Sequence, residues 1–199
     1  MVHLVNNTEY FDKTFSHLEM SSFRLKGAEF EDCEFNRCNF TSAQLTCCKF
    51  INCTFRHCNL SVMEISGSRF HQVSFDECKL SGTDWTRAYW PAFTPDPELC
   101  FSKCILTNAT FFGLTLQGTT LTECRLHDVD FRECNLASAE ITQCDLSGSL
   151  FNHTNLQAAD LTDSWNFTIN VLNNSVARAK FSRQEALSLL EGLDIELVD

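Results

Sequence analysis

A large apolar residue returns at every fifth position of this chain, a rule that few backbones can satisfy. These centres run Phe15, Met20, Leu25, Phe30, Phe35, Phe40 and onward in step to Leu80 and Trp85. The phase then moves by one residue, and the register resumes at Phe101, Leu106, Phe111 and Leu116 and continues to Leu161. It weakens at Asn166 and recovers at Val171, Val176 and Phe181. Cys33-Glu34-Phe35-Asn36-Arg37-Cys38-Asn39-Phe40 shows the unit: a small residue, a polar one, the large centre and two more polar residues. A fixed internal period decides architecture before any local propensity does.

A step of five matches neither the 3.6-residue helix nor the alternating strand. It suits a coil in which each unit makes one short side and a corner. A second period says how many sides there are. Phe15, Phe35, Phe55 and Phe75 recur every 20 residues, as do Phe111, Phe131 and Phe151, and Leu106, Leu126 and Leu146. Four units per turn predict an all-β solenoid, a filled quadrilateral β-helix with like residues stacked along its axis. Successive turns then lie ~4.8 Å apart, and the two runs give about eight turns, a rod of roughly 40 Å. The chain divides into an N-terminal cap (1–14) that holds Tyr10 as a candidate first member of the register, a first coil block (15–90), a projecting loop (91–99), a second coil block (100–181) and a C-terminal segment (182–199).

Twelve cysteines in 199 residues would suit a disulfide scaffold or zinc sites. Ten of them, however, stand two residues before a centre: Cys33, Cys38, Cys48, Cys53, Cys58, Cys78, Cys104, Cys124, Cys134 and Cys144. Elsewhere Ala28, Ala43, Ser68 and Ala139 fill that slot. It therefore faces inward, and free cysteine serves there as a small apolar residue. Cys104, Cys124 and Cys144 are expected to stack as a column, while Cys47 and Cys100 fall out of register. The six histidines are scattered, with His57, His71, His127 and His153 at outward positions. No metal or cofactor site is read from these residues. Nucleophile elbows, phosphate loops, dinucleotide fingerprints and HExxH motifs are absent, so enzyme activity is not expected.

No run approaches 18 apolar residues, which argues against a membrane-spanning helix. The start, Met1 to Asn7, lacks the basic and apolar regions of a secretory signal, so the chain reads as cytoplasmic. Its net charge is −11. Residues 1–99 hold 13 acids and 9 bases, net −4; residues 100–199 hold 13 acids and 6 bases, net −7. A nucleic-acid binder needs a basic footprint, so direct binding of DNA or RNA is not expected.

The period of 20 places the acids of the second block. Glu140 and Asp160 precede centres of one face, Glu123 and Asp163 follow centres of the same face, and all four are expected to line up along the axis. Asp128, Asp130, Glu133 and Asp145 occupy the two adjoining faces, with Lys103 before the stripe and Lys180 and Arg183 after it. Two readings stand: a solvated outer surface, or a charged rod imitating the phosphate array of a duplex. The loop holds all three prolines, which cannot donate to a ladder. It is either a tolerated insertion with its aromatics folded back, or a partner-contacting loop formed by Trp90, Pro91, Phe93, Pro95, Asp96 and Pro97. Ser182-Arg183-Gln184-Glu185 has the pattern of a capping box, opening a helix over about Arg183–Glu191 that Gly192 stops, with strand-like alternation beyond. A helix this short must pack on the last turn to persist.

The chain resembles the pentapeptide-repeat family over about residues 10–181, and thirty-odd repeats carry the likeness. The resemblance implies a right-handed quadrilateral β-helix. More narrowly, Trp85 through Trp90 and Pro91, Cys124-Arg125-Leu126-His127-Asp128 and the tail Leu193-Asp194-Ile195-Glu196-Leu197 are similar to the topoisomerase-protecting branch, of the Qnr and AlbG types. That likeness implies a homodimer formed tail to tail, in which Ala186, Leu187, Leu190, Leu193, Ile195 and Leu197 supply the contact. It implies a DNA-mimicking protein that binds DNA gyrase, and by extension topoisomerase IV, and counters a poison such as albicidin or a fluoroquinolone. Two other readings are a scaffolding solenoid with another partner and a protein that sequesters the drug directly.

Overall fold

Corners make this coil. At almost every fifth residue the backbone enters the left-handed region, with φ of 54° at Arg37, Cys47, Glu123 and Asp128. Residues with a Cβ visit that region at a cost. The corner N–H groups help to offset it by bonding to the next turn: Arg37 N–H donates to Arg56 O at 2.9 Å, and Glu123 N–H to Thr142 O at 3.0 Å. The computed structural model describes residues 4–91, 98–193 and 195, and shows a four-sided β-solenoid of about eight turns.

The four faces follow in chain order from the centres Phe15 (face 1), Met20 (face 2), Leu25 (face 3) and Phe30 (face 4), and face 1 is the most regular. Nine short parallel strands stack along it, from Thr14–Ser16 at one end to Lys180–Phe181 at the other. Their centres lie in register: Phe15 over Phe35, Phe55 and Phe75, then Phe101, Leu121 and Ile141. The rings form the expected internal pile. Phe35 and Phe55 stack at 4.5 Å and 6°, and Phe55 and Phe75 at 5.2 Å and 15°. Rings from neighbouring faces meet this pile edge-on or tilted, as Phe40 and Phe50 meet Phe55. Offset stacks and edge contacts are the favoured geometries of aromatic pairs. On face 4, Tyr10 stacks on Phe30 at 5.0 Å, so the coil is in step from the strand Glu9–Phe11 onward.

The inward slot beside each centre takes the small residues. All ten in-register cysteines are buried, Cys47 is exposed and Cys100 is half-buried, and every one is a free thiol. Burial pushes the Cys53 and Cys134 thiols up to about 12, which keeps them protonated and inert. The column extends further than Cys104, Cys124 and Cys144. Cys38, Cys58 and Cys78 continue it, because Lys79 bridges to Ile105 across the insertion. Cys58 Sγ accepts the N–H of Cys38 at 3.3 Å and donates to Phe35 O at 3.4 Å, and Cys124 repeats the pattern with Cys104 and Phe101. Ser164 ends the ladder by accepting the N–H of Cys144.

The phase shift now has a cause. Phe75 pairs with Phe101, 26 residues on rather than 20, so six extra residues are inserted, one more than a whole unit. The coil leaves this turn through a single 3-10 turn at Trp85–Arg87. Trp90 then lies half-buried against the core and donates its indole N–H to Trp85 O at 2.8 Å. Glu98 and Leu99 already belong to the returning coil. Glu98 turns a left-handed corner and accepts from Gln72, and Leu99 is buried in the inward slot. Glu98 and Leu99 thus stand in the coil rather than in the projecting loop expected over residues 91–99. Phe93, Pro95, Asp96 and Pro97 lie outside the described residues.

Two expectations at the C-terminal end are corrected. Around the missing centre at Asn166, the core is filled by Phe167 and Ile169, while Val171 is only half-buried. Phe167 stands off the five-residue register, which explains why the repeat looks faded there, while Ile169 fills the inward slot two residues before Val171. The capping box is not made. Ser182 Oγ instead bonds Asp163, accepting its N–H at 2.8 Å and donating to its carboxylate at 3.0 Å. The helix is a 3-10 helix over Glu185–Leu193 and runs through Gly192. A Cβ on Gly192 would sit 3.0 Å from Asn170 Cγ, so Gly192 marks a close approach to Asn170 and does not end the helix, which runs one residue further.

Candidate functional site

The acidic residues of the second block spread over three adjoining faces, as their outward positions require. On face 1, Glu140 stands directly beside Asp160, whereas Glu123 and Asp163 sit in the corner column, with Gln143 between them in sequence step. The four thus form two parallel files at the edges of one face rather than a single line. Asp128, Asp145 and His127 lie on face 2, and Asp130 and Glu133 on face 3. Gly148, with φ of +70°, leaves room for the Asp128 carboxylate, which overlies the place where a Cβ would be.

Charge pairing divides these eight acids. Asp130 is gripped by Arg132 through two bonds of 2.9 and 2.8 Å, which hold its carboxyl below the usual range. That guanidinium also lies 5.6 Å over the Phe112 ring. Asp160 is paired with Lys180 at 2.8 Å. Asp145 is saturated: it accepts from Ser147, from Asn166 and, through its other oxygen, from His127 at 2.8 Å. Burial alone would raise its carboxyl, but these bonds together hold it well below the usual range. Glu123, Asp128, Glu133, Glu140 and Asp163 make no ion pair among the described residues, and all five are exposed.

The Asp160 pair gives a pH prediction. Lys180 first, and Thr162 after it, pull the Asp160 carboxyl from 3.8 down to about 2. A depressed carboxyl stabilises the fold above its unfolded value, and that contribution is lost as pH falls through the folded value. The last turns are therefore expected to loosen between about pH 4 and pH 2. In a carbon-detected NMR titration, Asp160 should titrate near 2 in the wild type and move back toward 3.8 in Lys180→Met. An Asp160 midpoint indifferent to Lys180 would overturn the assignment.

The structure turns Trp90 inward, against its expected role in partner contact; Tyr89 beside it is 56% exposed. One more step of five from Trp85 would have revealed this, since it makes Trp90 a centre and Tyr89 outward. The same step past Leu161 puts Trp165 outward, and it is exposed. At the C-terminal end, Leu187, Leu193 and Ile195 are exposed, Ala186 and Leu190 are half-buried, and Leu197 lies outside the described residues. Leu172 of the preceding turn adds the most exposed apolar side chain among the described residues of this end, at 71%.

A four-sided β-solenoid that buries its stacked side chains and carries its charge on the outside is the class of protein that fold and surface define. The chain belongs to the pentapeptide-repeat family: the family model for a pentapeptide repeat region matches residues 28–94 and 97–161. Among solved structures it is similar to a trypsin-treated variant of QnrB1, described as a plasmid-mediated fluoroquinolone resistance protein. The identity is 18%, with 93% of this chain and 100% of that chain covered and a TM-score of 0.66. It is also similar to HetL, described as a pentapeptide repeat protein involved in heterocyst differentiation regulation in Nostoc sp. strain PCC 7120. There the identity is 13%, the coverage 88% and 87%, and the TM-score 0.41. No curated protein matches the chain. Among the described residues no helix is long and apolar enough to cross a membrane, and no cluster of side chains is arranged to hold a metal ion.

Proposed function

We propose that this protein is a duplex mimic that occupies the DNA-binding surface of a type II topoisomerase, DNA gyrase or topoisomerase IV. In doing so it protects the enzyme from a poison that traps its cleaved DNA. The observation that carries this reading is the set of unpaired carboxylates. Glu123, Asp128, Glu133, Glu140 and Asp163 fall within two turns, about 10 Å of axis at the strand spacing, or one charge per about 2 Å. Duplex DNA carries one per about 1.7 Å. The likeness of the fold to a fluoroquinolone resistance protein supports the same direction. The tail and the Trp85–Pro91 segment favour albicidin as the poison, with fluoroquinolones second.

The test is supercoiling by gyrase in the presence of albicidin or ciprofloxacin while this protein is titrated in. Restored supercoiling with either drug is expected; no restoration with both sinks the proposal. A scaffolding role predicts no restoration, and drug sequestration predicts that albicidin binds this protein with gyrase absent. We assign the exposed Leu172, Leu187, Leu193 and Ile195 to a two-fold contact between copies, the commonest oligomer symmetry. Sedimentation should then give twice the mass of the chain, falling to one chain in Leu187→Asp with Ile195→Asp; a wild-type monomer overturns this part.

A further inference from the structure

Where face 1 meets face 2 in the last turns, the corner is hollowed into a groove of about 540 Å³. Its two walls are neighbouring columns of the coil. One carries Glu123, Gln143 and Asp163, and the other Arg125, Asp145 and Trp165. The second column is bridged rung to rung, from Arg125 to Asp145 and from Asp145 to Trp165. In the earlier turns this column holds Glu19, Asn39, Asn59, Lys79 and Ile105, so an aromatic ring appears in it only at the groove.

The ends of the groove differ. At one end Arg125 stands beside Glu123. Two rungs away, roughly 10 Å along the axis, Asp163 stands beside the Trp165 ring, which is 41% exposed. Asp145, between them, has both oxygens engaged by its own neighbours. Asp163 spends one oxygen on the Ser182 hydroxyl and makes no ion pair among the described residues. The groove as a whole holds three carboxylates against one guanidinium, and its surplus negative charge lies at the Trp165 end. A carboxylate and an exposed indole lining one groove make a pairing that a planar guanidinium can satisfy in full, stacking on the ring and bonding the acid at its edge. An ammonium offers only a point charge to the same walls.

We infer that the Asp163–Trp165 end of this groove seats an arginine side chain of a protein partner. This deepens the duplex-mimic reading and rests on it for the partner's identity, since surfaces that grip phosphates are built with arginine. The seat would turn a diffuse attraction between charged surfaces into a fixed register of the rod on its partner.

Two arms test it. In the first, the capped tripeptides Gly-Arg-Gly and Gly-Lys-Gly are titrated into the wild-type protein while the Trp165 indole N–H is followed by NMR. Arginine should shift that signal several-fold more than lysine at equal concentration, and Asp163→Asn should abolish the difference. Equal shifts from both peptides, or no shift, overturn the inference. In the second arm, Trp165→Leu and Asp163→Asn are compared with wild type for binding to gyrase. Each should lose about tenfold in affinity, the scale of a desolvated cation–π contact. Leucine keeps apolar cover and asparagine keeps the acceptor for Ser182, and unchanged melting of both variants shows that the fold is intact. Wild-type affinity in both variants overturns the inference. If the wild type itself does not bind gyrase, the duplex-mimic reading fails, and the peptide arm still decides the groove.

Discussion

Changing Glu123, Glu140 and Asp163 together to Gln, Gln and Asn is expected to weaken binding to a type II topoisomerase by roughly 100-fold at low salt, since each charge lost from a complementary contact costs on the order of 1 kcal/mol. The substitutions suit the backbone. Glu123 occupies a left-handed corner with φ of 54°, and Gln143 holds the same corner one turn on with φ of 55°. Asparagine is at ease in such a corner, which protects the fold at Asp163. The control is the pair Asp160→Asn with Lys180→Gln. It removes one carboxylate and one ammonium from the same face and leaves its net charge unchanged, because the two side chains already neutralise each other at 2.8 Å. That variant should bind within about threefold of wild type if net surface charge drives recognition. Salt gives a second readout. The Debye length shrinks from about 10 Å at 0.1 M to about 3 Å at 1 M, so wild-type affinity should fall steeply with salt and the triple variant's more gently. A triple variant that binds like wild type, or a flat salt response of the wild type, removes electrostatic mimicry as the mechanism.

Phe55→Ala should be the most damaging simple truncation in the first block, at roughly 3–5 kcal/mol. The Phe55 ring is fully buried and is held between Phe35 and Phe75, with Phe40 and Phe50 against its flanks. A backbone locked into corners and inter-turn bonds cannot collapse on the hole, so the cavity persists. Each turn of a solenoid leans only on its neighbours, so loss of one mid-coil ring also weakens the coupling of the two halves. Phe181→Ala at the far end should cost much less, because that ring is half-buried and, among the described aromatics, meets Phe167 alone. Urea unfolding of both variants checks this. A cost below about 1 kcal/mol for Phe55→Ala would mean that the coil does relax into the hole and that the stack is not what holds the turns together.

The square coil and the column of phenylalanines were legible in the chain because a period of five is a local property: it needs no knowledge of what lies across a turn. The inward slot for cysteine and alanine followed from the same count. The breakdown near Asn166 was visible, but its repair by Phe167 was not, since that residue does not keep the register. Ser182 looked like a cap because its spacing to Glu185 is right. Only the fold brings Asp163 within reach of its hydroxyl, and that bond replaces the cap.

What the order of residues settled, then, is the cross-section and the contents of the core, because both depend on steps of five and 20 along one strand of chain. What only the folded molecule decided is which rung meets which after the insertion, and which carboxylates remain unpaired among the described residues. Those outcomes depend on which side chains the stacked turns bring together: Lys180 reaches Asp160 one turn back and Arg132 folds onto Asp130 two residues away, while Asp163 and Trp165 share the lining of an open groove. The net charge of a segment can be counted from its letters, but the charge it offers a partner is set by contacts that exist only once the turns are stacked.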